Sequence, residues 1–116
     1  MITVNKPANF YWEYTCRFQQ GVGYVSILSF NNNTLATVTA NSTITGRATF
    51  TFSQNILTYL KTYIFGNCLP NPLVGGSPTT FSFIQNSDYQ ITVSQVLSDG
   101  NNRNGFDGYL TIRIYP

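Results

Sequence analysis

The stretch Asn9-Phe10-Tyr11-Trp12-Glu13-Tyr14-Thr15-Cys16-Arg17-Phe18 alternates without a break. Phe10, Trp12, Tyr14, Cys16 and Phe18 fall on one side, and Tyr11, Glu13, Thr15 and Arg17 on the other. A period of two puts one set against a core and the other against water, the pattern of a half-buried β-strand. Residues 22–30 follow, rich in β-branched and aromatic side chains, and stop at Asn31-Asn32-Asn33, a run suited to a tight turn with left-handed backbone. Residues 34–40 then read as the return strand of a hairpin.

Further along, residues 43–52 alternate again, with Ile44, Ala48, Phe50 and Phe52 opposite Thr45, Arg47, Thr49 and Thr51. Gly46 inside this run predicts a bulge or bend. Over residues 53–66 two readings compete. Ile56, Tyr59, Leu60, Tyr63 and Ile64 recur at helical spacing between a candidate N-cap, Ser53, and a candidate C-terminal glycine, Gly66. Thr58, Thr62 and the tyrosines also suit a strand. The capping signals tip the expectation to one short helix over residues 54–65.

Pro70, Pro72, Gly75, Gly76 and Pro78 make residues 67–78 a long loop. Strands are expected over 79–84 and 89–96, and a last one over 108–115 with Leu110, Ile112 and Ile114 on its inner face. Seven or eight short strands with turn signals every 8–12 residues predict an all-β chain, a single antiparallel β-sandwich or jelly roll covering residues 1–116. The length suits one domain.

Composition narrows the function. Charged residues make up 9% of the chain, far below the roughly 25% of ordinary soluble domains. Hydrophobic residues at 42% and aromatics at 16% are ample for a core. There is no histidine, the carboxylates are Glu13, Asp88, Asp99 and Asp107, and the cations Lys6, Arg17, Arg47, Lys61, Arg103 and Arg113 are scattered singly. Serine and threonine thus lack a histidine base, and no basic stripe exists for a phosphate backbone. The expectation is a protein that is not an enzyme and does not bind nucleic acid.

Residues 98–108, Ser-Asp-Gly-Asn-Asn-Arg-Asn-Gly-Phe-Asp-Gly, gather acids and amides together in one loop. Calcium takes six to eight hard oxygens, and Asp99, Asn101, Asn104 and Asp107, with Asn102, would supply them. The spacing is not that of an EF-hand, and Gly, Asn and Asp are also what a long turn needs. The hairpin built on this loop resembles that of calcium-dependent galactophilic bacterial lectins, small jelly rolls ending in an Asn- and Gly-rich loop and a strand like Gly108-Tyr109-Leu110-Thr111-Ile112. The resemblance covers the last third of the chain and implies calcium-assisted sugar binding. Gly105 and Phe106 stand where that family would place amides.

Sugar recognition also wants aromatic platforms, which Tyr11, Tyr24, Tyr59, Tyr63, Tyr109 and Tyr115 offer. The same tyrosines suit protein interfaces. Tyr11, Tyr24, Tyr109 and Tyr115 are therefore interaction candidates. Cys16 and Cys68 either remain buried thiols or pair, closing a loop worth about 4 kcal/mol of chain entropy. Their spacing fits no metal or redox motif.

No basic and apolar leader opens the chain, and no apolar run reaches the ~18 residues of a membrane span. Low charge permits close self-association, and edge strands without lysines invite pairing. The leading expectation is a non-enzymatic structural subunit of a virion (phage or virus capsid, decoration or spike protein) or of an extracellular filament. It would assemble with copies of itself or with other structural proteins, using no cofactor, through aromatic faces and through segments 1–7 and 108–116. The alternative is a lectin-like module using the 98–107 loop, with or without calcium.

Overall fold

The computed structural model describes residues 11–34, 36–57, 61–69, 78–97 and 104–115. Eight strands run through them: β1 (Trp12–Gly21), β2 (Tyr24–Asn32), β3 (Val38–Asn41), β4 (Arg47–Phe52), β5 (Thr62–Leu69), β6 (Pro78–Ser87), β7 (Gln90–Leu97) and β8 (Phe106–Ile114). They form two four-stranded antiparallel sheets, ordered β2-β1-β8-β5 and β3-β4-β7-β6, packed as a β-sandwich.

Alternation builds the core. Tyr14, Cys16 and Phe18 of β1 and Phe106, Leu110, Ile112 and Ile114 of β8 turn inward from the first sheet. Ala48, Phe50 and Phe52 of β4 and Ile91 and Val93 of β7 meet them from the second. Phe18 packs edge-on against Phe50 at 5.1 Å and against Phe106 at 5.8 Å between centroids, and Tyr14 against Phe52 at 5.9 Å. Aromatic rings prefer this T-shaped approach because the positive edge of one meets the negative face of the other.

β2 breaks the alternation. Arg17 pairs with Ser29 and Phe18 with Ile27, so Leu28 is an extra residue in a bulge. The bulge lets Val25 and Ile27 reach the core while Leu28 and Phe30 stay half or more exposed. At the β1–β2 hairpin Gly23 takes φ 77°, and Gly21 lies under the Tyr24 ring, where a Cβ would collide with it. An aromatic side chain over a cross-strand glycine restores the packing that the glycine lacks.

Several expectations are corrected. Residues 61–65 are not helical: β5 begins at Thr62 and pairs with β8 from Thr62–Ile114 to Leu69–Asp107. Residues 58–60 lie outside the described residues. Pairing along a whole strand of β8 outweighs the weak propensity of a segment rich in Thr and Tyr. Asn31 to Asn33 make no hairpin turn, because β3 belongs to the other sheet and pairs with β4. The Asn32 side chain instead stabilises the crossing, its Nδ2 donating to the Ala36 carbonyl at 2.8 Å and its Oδ1 accepting from Thr34 Oγ1 at 2.6 Å. Gly46 is not mid-strand: it takes φ 72° in the turn that precedes β4.

Of the two alternatives for the cysteines, the geometry favours separate thiols over a Cys16–Cys68 pair. Cys16 is a free thiol on β1, and Cys68 lies on β5, with β8 between the two strands. Two inter-strand spacings amount to about 10 Å, beyond the ~7 Å that a disulfide spans. Residues 108–114, expected at an edge, are paired on both sides, by β1 and by β5.

Candidate functional site

On the outer face of the first sheet, every second residue of β1, β8 and β5 points outward and the register aligns them in rows. Glu13 stands opposite Arg113, and Arg113 opposite Tyr63. Arg113 Nε donates to Glu13 Oε2 at 2.6 Å. That hydrogen bond is the main reason the guanidinium holds its proton even more firmly than usual. The same guanidinium sits 4.8 Å from the Tyr11 ring centre and 5.6 Å from that of Phe65, within cation–π range. Tyr115 stands 5.3 Å from Tyr11 and 5.4 Å from Tyr63. A shallow groove bounded by Lys61, Tyr63, Phe65 and Tyr115 opens here.

Two rows further on, Arg17 lies opposite Tyr109, 5.9 Å from its ring centre and 3.8 Å from Asp107 Oδ2. Both arginines of this face are therefore met by a carboxylate. Tyr63, Phe65 and Tyr109 each remain about half exposed, so the face is aromatic and largely neutral.

The outer face of the second sheet is built differently. Thr49 and Thr51 of β4, Gln90 and Thr92 of β7 and Asn86 of β6 form a connected polar floor. Asn86 Nδ2 donates to Thr92 Oγ1 at 2.7 Å and to Gln90 Oε1 at 3.0 Å, and Gln90 Nε2 donates to Thr51 Oγ1 at 3.2 Å. Thr49 and Thr92 hydroxyls lie 3.3 Å apart. With Ile44, Ile84 and Arg47, all of this floor except Thr51 lines a groove of about 400 Å³. Arg47 Nε is buried and has no hydrogen-bond partner among the described residues.

A third cluster closes one end of the sandwich. Gln20 is 2% exposed, and its Nε2 donates to Ser42 Oγ at 2.8 Å and to Asn104 Oδ1 at 2.6 Å, while its Oε1 accepts from the Gly105 amide at 2.9 Å. Asn104 Oδ1 also accepts from the Gly46 amide at 3.0 Å. Of the calcium candidates, Asn104 thus spends both lone pairs of its amide oxygen on the protein, and Asp107 faces Arg17 and Gln19 Nε2. Asp99 and Asn101 lie outside the described residues. Among the described residues no three His, Cys, Asp or Glu side chains converge.

The Cys16 thiol is held in its protonated, non-nucleophilic form: burial pushes it up to about 12, against a partial offset from its hydrogen bond to Tyr14. Burial also raises the Tyr14 hydroxyl well above its ordinary value, with Cys16 adding to the rise. Both groups stay neutral and act as packing.

Of the four tyrosines singled out from sequence, the structure brings Tyr11 and Tyr115 together beside Arg113 and places Tyr109 on the same face beside Arg17. Tyr24 is elsewhere, at the β1–β2 hairpin. Sequence reasoning missed Gln20 and the groove around Arg47, whose members are drawn together from segments far apart in the chain, β4, β6 and β7 among them. Comparison of the chain with family models, with curated proteins and with solved structures finds no match.

Proposed function

We propose that this chain is a non-enzymatic structural subunit of a virion or an extracellular filament, joined to copies of itself or to other structural proteins through strand edges and aromatic faces. One observation carries the reading: the distribution of charge over the strands. Glu13 and Arg17 on β1, Arg47 on β4, and Asp107 and Arg113 on β8 all sit on central strands. The strands that close the sheets, β2, β3, β5 and β6, contain no Lys, Arg, Asp or Glu.

Edge strands present unpaired N–H and C=O groups, and monomeric proteins guard them with charge, most often lysine. Here the charge is inverted, kept inside the sheets and absent from their rims. Such rims favour pairing with a further strand, and β2 adds apolar contact through Tyr24, Leu28 and Phe30, all about half exposed or more.

Light scattering after size-exclusion chromatography, from micromolar to millimolar protein, tests the proposal. Association that grows with concentration and is suppressed by Ser29→Lys on β2 or Ser82→Lys on β6, with the unfolding midpoint unchanged, is the expected result. A protein that stays monomeric throughout that range overturns it. A monomer that also binds glycans in a calcium-dependent way favours the lectin-like alternative on the 98–107 loop.

A further inference from the structure

We infer that the groove on the outer face of the second sheet is a binding site for a saccharide that carries a carboxylate, such as a uronic or sialic acid unit. The argument starts from Arg47. The other two arginines on strands are each paired with a carboxylate, Arg113 with Glu13 and Arg17 with Asp107. Arg47 lines the groove and has no carboxylate partner among the described residues, and its Nε, like that of Arg17, is buried without a hydrogen bond. A guanidinium that no carboxylate answers leaves its charge and its outer N–H groups for an incoming anion to pair with. A carboxylate is the planar, two-oxygen partner that a guanidinium fork accepts in parallel.

The rest of the groove selects what the carboxylate is attached to. Both Nδ2 hydrogens of Asn86 are held by Gln90 and Thr92, which fixes the amide and leaves Oδ1 as an acceptor with no partner among the described residues. Thr49 and Thr92 offer hydroxyls that either donate or accept. Ile44 and Ile84, 54% and 48% exposed, supply apolar walls for the C–H faces of a ring. Among the described residues no carboxylate lines the groove, so a neutral sugar would leave Arg47 unanswered and a cationic ligand would be repelled. A volume of about 400 Å³ admits one or two sugar rings. The inference stands apart from the assembly reading, because the groove lies on a sheet face and not on an edge.

Titration calorimetry of the whole chain with a glucuronate disaccharide and with N-acetylneuraminic acid, beside a neutral glucose disaccharide and acetate alone, tests it. At least one acidic saccharide should bind, more weakly as salt rises, and the neutral disaccharide should bind at least about tenfold more weakly. Arg47→Met should weaken the acidic ligand by about tenfold or more, and Asn86→Ala by a few-fold, with the unfolding midpoint of each variant confirming an intact fold. Three results overturn the inference: no acidic saccharide binding at millimolar concentration, binding that Arg47→Met leaves unchanged, or acetate alone binding as tightly as the saccharides. The last would show an anion site that does not recognise sugar.

Discussion

The two outer faces of the sandwich share an alternating backbone and differ in how they treat arginine. On the first sheet Arg17 and Arg113 are answered from within the chain, by Asp107 and Glu13, and rings pack about them. On the second sheet Arg47 stands above a floor of hydroxyls and amides with no carboxylate among the described residues. On the first face each strand arginine meets a carboxylate, and the face offers area. The second leaves Arg47 without a carboxylate partner among the described residues, which is why we propose contact for the one and a ligand for the other.

This contrast requires that both faces back onto one core. Phe18 from the first sheet and Phe50 from the second are fully buried and in edge-to-face contact. Each truncation to alanine should cost about 3–5 kcal/mol in denaturant unfolding. The double variant should cost less than the sum by about 0.5–1.5 kcal/mol, the worth of the ring pair. Additive losses would mean that the sheets are separately supported.

The two sheets should also part company at high pH. The inner side of the first carries Cys16 and Tyr14, both with raised values, whereas Ala48, Phe50, Phe52, Ile91 and Val93 on the second do not titrate. A thiol protonated in the folded state up to about 12, against an ordinary 9.0, contributes stability that is complete below pH 9 and is lost as pH rises from there towards 12. The limiting slope is about 1.4 kcal/mol per pH unit for each such group. Cys16→Val should flatten the decline measured by denaturant unfolding, and an unchanged slope would remove the thiol as its cause.

The smallest effects sharpen the comparison of arginines. Arg113→Met and Glu13→Gln should each lower the melting temperature slightly at low salt and hardly at all at high salt, since partly exposed ion pairs are weak and screened. Arg47→Met should leave it unchanged or raise it at either salt concentration, because no carboxylate partner among the described residues is lost and a poorly hydrated N–H is removed. A loss for Arg47→Met equal to that for Arg113→Met would show that Arg47 has an internal partner.

Most of the sandwich was legible wherever one face of a strand is apolar throughout, as in residues 12–18 and 110–114. It failed where a segment satisfied two periods at once. In β5, Tyr63 and Phe65 point outward and are half exposed while Ile64 packs on the core, yet Tyr63 and Ile64 also fit helical spacing. Only the partner strand, Gly66 against Leu110 and Cys68 against Gly108, decides between them. The bulge at Leu28 hid the inner face of β2 in the same way. The tyrosines could be proposed from alternation alone, but the pair Glu13–Arg113 spans 100 residues of chain, and whether a strand is central or at a rim depends on pairings just as distant. The inversion of charge, which carries the assembly reading, was therefore invisible before the strand order was known.

Gln20 has a mechanical consequence. One fully bonded amide joins β1 of the first sheet to Ser42 at the end of β3 in the second and to Asn104 and Gly105 ahead of β8, with Asn104 reaching on to Gly46. Interlocked apolar side chains already resist sliding of the sheets, and this bolt adds a directional, hydrogen-bonded stop at one end. The amide protons of Gly46 and Gly105 lie in turns, where exchange with solvent is ordinarily fast. Here they should be released only when the sandwich shears open, making them native reporters of that motion.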